Sequence, residues 1–199
     1  MDFDLMVLKN HLTKRGFQAF VCSDRQEAID LITQTLIDEN DSVVGIGNSI
    51  TLKELGLTGK LFSKTVYERN MAGSGEDERK AFHADIYFTS ANAISYDGQI
   101  VNIDGTGNRV AATCFGPKHV VFVIGKNKIA ESLELAVERA QNAAVALAKK
   151  YGRKTPCTAT GKCEYCLVPE CICAVTAIHR KHLYGNKISI VLVDEVLGL

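Results

Sequence analysis

Hydrophobic positions follow two patterns along the chain, helical faces and short unbroken apolar runs. Leu5, Leu8 and Leu12 recur at helical spacing before Gly16, and this pattern predicts a helix over 2–15. Apolar runs without polar interruption are typical of strands that are buried on both faces. Such runs predict strands at 18–22, 42–46, 85–88, 120–124 and 188–193.

Helical patterns fill the intervals between these runs. The longest spans 127–150 and ends before Gly152; its apolar face consists of Ile129, Leu133, Val137, Ala140, Ala144 and Leu147. Further helices are predicted after a capping box at Ser23 and at 50–55, 75–83 and 109–113. The pair Asp97-Gly98 predicts a tight hairpin between strands at 91–95 and 100–103.

This order of elements predicts an α/β fold with three layers. Strands that alternate with helices are typical of a mostly parallel sheet, and the hairpin is an insertion in that order. A chain of 199 residues, 46% of them hydrophobic, suits a single domain over 1–199 with a substantial core. Residues 152–175 break the pattern and are predicted to be an inserted cysteine-rich loop.

Charge and composition narrow the function classes. The 23 basic and 23 acidic residues are spread along the chain without a basic stripe, so we expect no nucleic-acid partner. The first residues lack the pattern of a signal peptide, and no apolar run is long enough for a membrane span. We therefore expect a cytoplasmic chain, a setting in which stable disulfides are rare.

A first glycine loop, Gly45-Ile46-Gly47-Asn48-Ser49, follows a predicted strand and begins a predicted helix. Glycines allow a ligand to approach the backbone, and the N–H groups of the helix terminus attract anions. The third glycine of a dinucleotide fingerprint and the lysine of a Walker loop are both missing. The alternative is an ordinary tight turn. The candidate ligand-binding residues are Gly45, Gly47, Asn48 and Ser49.

A second glycine loop, Asp104-Gly105-Thr106-Gly107-Asn108-Arg109, is richer in polar groups. Arg109 can clamp a small anion, and the alternative is a turn in which it pairs with Asp104. Both loops leave the carboxyl ends of strands, so we expect them to line one cleft. The candidate ligand-binding residues are Gly105, Thr106, Gly107, Asn108 and Arg109, and the candidate acid–base residues are Asp104 and Glu54.

Five of the seven cysteines lie in 157–173, and two of them form Cys163-x-x-Cys166. Thiolates at this density can bind zinc or an iron–sulfur cluster. A redox pair and free, partly buried thiols are the alternatives. The two remaining cysteines, Cys22 and Cys114, are predicted to be small core residues.

The order of several motifs resembles the LUD domain family, the lactate utilisation proteins. The motifs are Asp97-Gly98, then Gly105-Thr106-Gly107-Asn108-Arg109-Val110, Gly116-Pro117 and Val123-Ile124-Gly125-x-Asn127-Lys128-Ile129. The segment from Thr160 to Cys173 is similar to the cysteine-rich tail of short members, which have Arg at the position of Cys171. The resemblance thus implies a metal set of Cys157, Cys163, Cys166 and Cys173, with Cys171 as the extra cysteine.

The resemblance also implies a fold and a role. The fold is expected to be similar to ribose-5-phosphate isomerase, glucosamine-phosphate deaminase and the CoA transferases, in which the loop equivalent to 45–49 binds phosphate or a carboxyl-bearing substrate. The implied role is a component of lactate or related organic-acid utilisation, beside iron–sulfur or oxidoreductase subunits. Two alternatives are an isomerase, transferase or cyclo-ligase, and a non-catalytic assembly or regulatory subunit with a metal-stapled loop. Each of these roles is compatible with a homo-oligomer.

Overall fold

Ten strands in two sheets and seven α-helices make up the part of the chain that this computed structural model describes, residues 3–61, 63–68 and 75–199. The strands are β1 (Gln18–Cys22), β2 (Val43–Ile46), β3 (Thr65–Glu68), β4 (Ile86–Thr89), β5 (Ala93–Ser95), β6 (Ile100–Asp104), β7 (His119–Gly125), β8 (Ile129–Ala130), β9 (Val175–His179) and β10 (Lys187–Val193). The helices are α1 (Leu5–Lys14), α2 (Arg25–Leu31), α3 (Ile50–Leu55), α4 (Glu76–Phe82), α5 (Asn108–Cys114), α6 (Leu133–Lys150) and α7 (Pro156–Thr160).

The main sheet has six parallel strands in the order β1-β10-β7-β4-β2-β3. Its central strand β7 is buried along its whole length, and its side chains alternate between two cores. Phe122 packs with Leu8 and Leu12 of α1, whereas Val123 packs with Ile29 of α2 and Leu52 of α3. Helices therefore cover both faces, and the predicted three-layer α/β architecture is confirmed.

The predicted hairpin is part of a second sheet with the order β8-β5-β6-β9. Strands β5 and β6 pair antiparallel, β8 joins β5 in parallel, and β9 joins β6 antiparallel. The face of α6 that packs on this sheet is built from alanines, including Ala136, Ala140 and Ala144. The hydrophobic pattern does not predict β9, because its side chains are exposed or half-buried.

Two predicted helices begin later than the pattern indicated. Ser132 accepts a hydrogen bond from the Leu135 backbone N–H, so α6 begins at Leu133 rather than at 127. The residues before it form a 3₁₀ turn, Lys126–Lys128, and strand β8. Helix α1 begins at Leu5 because the Asp4 carboxylate caps it. Within the predicted span 2–15, residues 3 and 4 precede the helix, and residue 2 lies outside the described part.

The carboxyl ends of three main-sheet strands meet on one side of the molecule. Strand β2 leads into α3, β4 leads into 90–92, and β7 leads into the Lys126–Lys128 turn. Strand β6 of the second sheet leads there into the loop before α5. Among the described helices, none combines the length and apolar character that a membrane span requires.

Candidate functional site

A cleft of about 320 Å³ opens where these strands end. Residues of both glycine loops line it, as the positions of the loops at strand ends predicted. From the predicted ligand-binding set, the lining includes Asn48, Ser49, Gly105, Thr106, Asn108 and Arg109. The remaining three predicted residues, Gly45, Gly47 and Gly107, are not among its lining residues.

The first loop contributes side chains rather than glycine backbone. Ser49 is buried, and its Oγ accepts a hydrogen bond from the Leu52 N–H and caps α3. A Cβ on Gly45 would lie 2.6 Å from the Tyr87 ring and 2.8 Å from the Ala81 carbonyl oxygen. This glycine therefore allows β2 and α4 to pack closely, a role that does not require a ligand.

Asp104 organises the second loop. Its carboxylate accepts hydrogen bonds from the backbone N–H groups of Thr106, Arg109 and Val110 at 3.1–3.3 Å. The Arg109 Nε lies 3.8 Å from Asp104 Oδ2, so the pairing that the alternative interpretation of this loop requires is present. The other acid–base candidate, Glu54, accepts from the Gly198 N–H at 2.7 Å and is not among the residues that line the cleft.

The Arg109 guanidinium is fixed at the cleft wall. Its Nη2 donates to the Ile103 carbonyl oxygen at 2.7 Å and to Asn92 Oδ1 at 3.0 Å. Asn92 Oδ1 also accepts from the Ile103 N–H, so β6 and the segment after β4 hold the guanidinium together. Within the described residues Nη1 has no hydrogen-bond partner, which leaves one edge of the fork for a ligand.

Lys128 lines the same cleft, although it is not among the site residues predicted from the sequence. Its side chain is buried, and Nζ donates to Thr51 Oγ1 at 2.8 Å and to Ser90 Oγ at 2.9 Å. Burial lowers the pKa of the Lys128 amine to about 7, and the charges of Arg139 and Arg109 act in the same direction. The only signal in the sequence was its place in the motif Asn127-Lys128-Ile129.

Two further arginines add positive charge. Arg153 lines the cleft, and its buried Nε has no hydrogen-bond partner in the described part of the chain. Arg139 donates from Nε to the Asn127 carbonyl oxygen and from Nη1 to that of Asn92. The two acidic side chains in the lining, Asp104 and Glu170, both accept backbone N–H groups. The N–H groups of Arg109 and Arg153 that have no partner among the described residues are therefore available to an anion in the cleft.

The cysteine-rich segment forms another wall of the cleft, through Pro169, Glu170, Cys171 and Ile172. A Cβ on Gly105 would lie 3.3 Å from the Cα and carbonyl oxygen of Ile172, so the absence of a side chain lets the segment pack on the second loop. Behind this contact lies a small cavity of about 20 Å³. All five cysteines of the segment border it: Cys157, Cys163, Cys166, Cys171 and Cys173.

Contacts among the thiols distinguish their environments. Cys171 Sγ lies 3.0 Å from Cys173 Sγ, and Cys157 Sγ lies 3.1 Å from the Thr155 hydroxyl. Burial and the neighbouring Cys171 raise the pKa of the Cys173 thiol to about 12. Burial acts to raise the pKa of Cys171, but hydrogen bonds from Cys173 and Cys166 outweigh it, and this pKa lies below its usual value.

The thiols match a soft metal in chemistry, but their positions are not yet those of a ligand set. Two thiolates bound to one tetrahedral zinc lie about 3.8 Å apart, so at 3.0 Å Cys171 and Cys173 are too close to bind the same zinc, and Cys171 is the cysteine outside the implied set. Among the described residues, no three His, Cys, Asp or Glu side chains have ligating geometry. Cys22 is buried as predicted, whereas Cys114 ends a short helix and is exposed, so its prediction as a core residue is wrong.

Comparison with known proteins identifies the domain. The family model of the LUD domain matches residues 5–193. Among solved structures, the fold is similar to that of a DUF162 family protein from Deinococcus radiodurans, with a TM-score of 0.56, 15% sequence identity and 95% of each chain covered. At this identity the likeness shows the fold alone. A search of curated proteins finds no match.

Proposed function

The chain belongs to the LUD domain family, and we propose that it binds a small organic anion in the cleft as a component of lactate or related organic-acid utilisation. The observation that carries this proposal is the convergence of Arg109 and Arg153, each with a guanidinium N–H that has no hydrogen-bond partner among the described residues, on a cleft whose two acidic side chains accept backbone N–H groups. Partly buried guanidinium N–H donors without a hydrogen-bond partner gain most from a bound anion.

The size and lining of the cleft support a small ligand. A volume of about 320 Å³ is at the lower end of small-molecule sites. The guanidinium of Arg109 matches the geometry of a carboxylate or a phosphate. Asn48, Ser49 and Thr106 supply further polar groups to the lining of the cleft. In this role the protein works in the cytoplasm beside iron–sulfur or oxidoreductase subunits, which carry the electrons from the organic acid.

Calorimetric titration with lactate, pyruvate and inorganic phosphate tests the anion site. We expect binding by the native chain and a loss of about ten- to hundredfold in affinity for Arg109→Lys, because lysine keeps the charge but lacks the bidentate fork. Arg153→Gln is expected to weaken binding to a similar extent. The control is Arg25→Gln, which removes an exposed ion pair with Glu195 outside the cleft. Native affinity in both cleft variants would refute the site.

A second part of the proposal concerns the cysteine segment. We propose that Cys157, Cys163, Cys166 and Cys173 hold a zinc ion or an iron–sulfur cluster after a small rearrangement of the thiols. What supports this is that all four border one small cavity on a segment between α6 and β9. Such a site supplies either a structural staple or an electron carrier next to the cleft.

Metal analysis and visible absorbance of protein prepared without oxygen test the cysteine site. We expect close to one zinc, or the iron and sulfide of one cluster, per chain. Cys163→Ser and Cys166→Ser are expected to lose the metal, whereas Cys22→Ser, in a core strand away from the segment, is expected to retain it. Colourless, metal-free native protein with free thiols would contradict a metal site.

A further inference from the structure

The amine of Lys128 occupies an unusual place for a lysine. It lies at the end of the turn after β7, between the first residues of α3 and the end of β4. Only 4% of the residue is exposed, yet it lines the cleft. Its closest contacts are hydroxyls rather than carboxylates, so nothing in its first contacts requires the charged form.

Two hydroxyl groups fix the orientation of the Lys128 amine. Thr51 Oγ1 donates its own hydrogen to the Leu197 carbonyl oxygen, and Ser90 Oγ donates to that of Ala91. Both hydroxyl oxygens therefore accept from Nζ, and in the described part of the chain they are its two hydrogen-bond partners. A neutral amine has two N–H donors and one lone pair. In this form both donors are engaged, and the lone pair has no partner among the residues that the structure describes.

We propose that Lys128 is a covalent site that captures a 2-oxo acid as an imine, an inference that rests on the proposed anion-binding function and names its ligand class. The carboxylate of such a molecule suits Arg109, and its carbonyl group suits the amine, both of which line the cleft. Burial and neighbouring cations favour the neutral form of Lys128, and this is the form in which a lysine side chain acts as a nucleophile.

The reaction is balanced without an oxidant or a reductant. The Nζ lone pair forms a bond to the carbonyl carbon, and the π electrons of the C=O bond move to oxygen, which takes up a proton from nitrogen. The resulting carbinolamine loses its hydroxyl group together with the second N–H proton as water. A C=N bond remains between Lys128 and the former carbonyl carbon. The hydroxyls of Thr51 and Ser90, which contact Nζ, are placed to relay these protons.

Reductive trapping tests the imine directly. The full chain is incubated with pyruvate and sodium cyanoborohydride, and the products are analysed by intact mass and peptide mapping. We expect one reduced pyruvate adduct per chain, on Lys128, and its loss in Lys128→Arg. The matched control is Lys126→Arg, two residues away and exposed, which is expected to keep the adduct. Peptide mapping of the native chain locates the adduct even where a variant fails to fold.

Three outcomes overturn the inference. They are the absence of an adduct on the native chain, an adduct that persists in Lys128→Arg, and adducts spread evenly over exposed lysines. If lactate and pyruvate bind with the expected dependence on Arg109 but pyruvate is not trapped, the proposed anion site is supported and the proposed imine is refuted. If Lys128 traps acetone as readily as pyruvate, the lysine is reactive but the cleft does not select a 2-oxo acid over a neutral ketone, and the proposed ligand class is refuted.

Discussion

Lys128 shows how burial changes the chemistry of a single residue. A lysine in water carries its charge well above neutral pH, but transfer to a site without a carboxylate partner penalises the charged form. Here desolvation is the largest effect on the pKa of Lys128, followed by the charges of Arg139 and Arg109, while Glu54 opposes them weakly. The residue therefore lowers the stability of the fold at neutral pH, and a cost of this kind is typical of functional sites.

The pH dependence of stability tests this penalty. The folded-state pKa of Lys128, about 7, lies below the unfolded value of 10.5, so between these values the unfolded chain binds more protons and stability rises with pH. Lys128→Met removes the penalty, which is fully present below pH 7. Relative to the native chain, Lys128→Met is expected to gain unfolding free energy, and this gain is expected to be about 2–3 kcal/mol larger at pH 6 than at pH 9.

Urea unfolding of both proteins at the two pH values provides the measurement. Lys126→Met is the control, because Lys126 is exposed and its substitution is expected to change stability similarly at pH 6 and pH 9. An equal effect of Lys128→Met at both pH values would mean that the Lys128 amine stays charged in the folded chain.

At the scale of elements, the sequence predicts a helix or strand correctly where the burial of that element alone sets its hydrophobic pattern. Strands such as β7 and β10 are buried on both faces, so their unbroken apolar runs identify them. Strand β9 was missed because it lies at the edge of its sheet and alternates weakly. The start of α6 was misplaced because Ile129 is buried in β8 much as it would be on a helix, so the apolar period continues across the boundary.

In the candidate site, too, features of a single segment could be predicted, whereas features that depend on contacts between elements could not. The two glycine loops could be predicted from strand ends, and the structure brings them to one cleft. The separate roles of the glycines could not be predicted from the sequence. Position 45 requires glycine because Tyr87 and Ala81, which belong to other elements, leave no space for a side chain there. Lys128 and Arg153 escaped prediction because burial and the absence of a partner are tertiary properties that a single sequence does not display.

At the scale of the whole molecule, the cysteine-rich segment joins two cavities. Cys171 and Ile172 border both the large cleft and the small thiol cavity. The second sheet carries the loop on which the segment packs, and α6 packs on the other side of the thiols through Val145 and Ala148. A change at Cys171, by oxidation or by metal binding nearby, therefore acts on a wall of the large cleft.

Gly105→Val tests this connection, because the added Cβ meets the Ile172 backbone at 3.3 Å and the branched methyls require still more space. Overpacking of this kind costs about 1–3 kcal/mol, and movement of the segment away from the cleft relieves it. We expect weaker binding of lactate and pyruvate by calorimetry, together with faster alkylation of Cys171 by iodoacetamide, followed by peptide mapping. Gly59→Val is the control, since a Cβ there meets no atom within 4 Å. If the two variants matched in both measurements, the segment would not depend on its contact with Gly105, and the cleft and the thiol cavity would be independent sites.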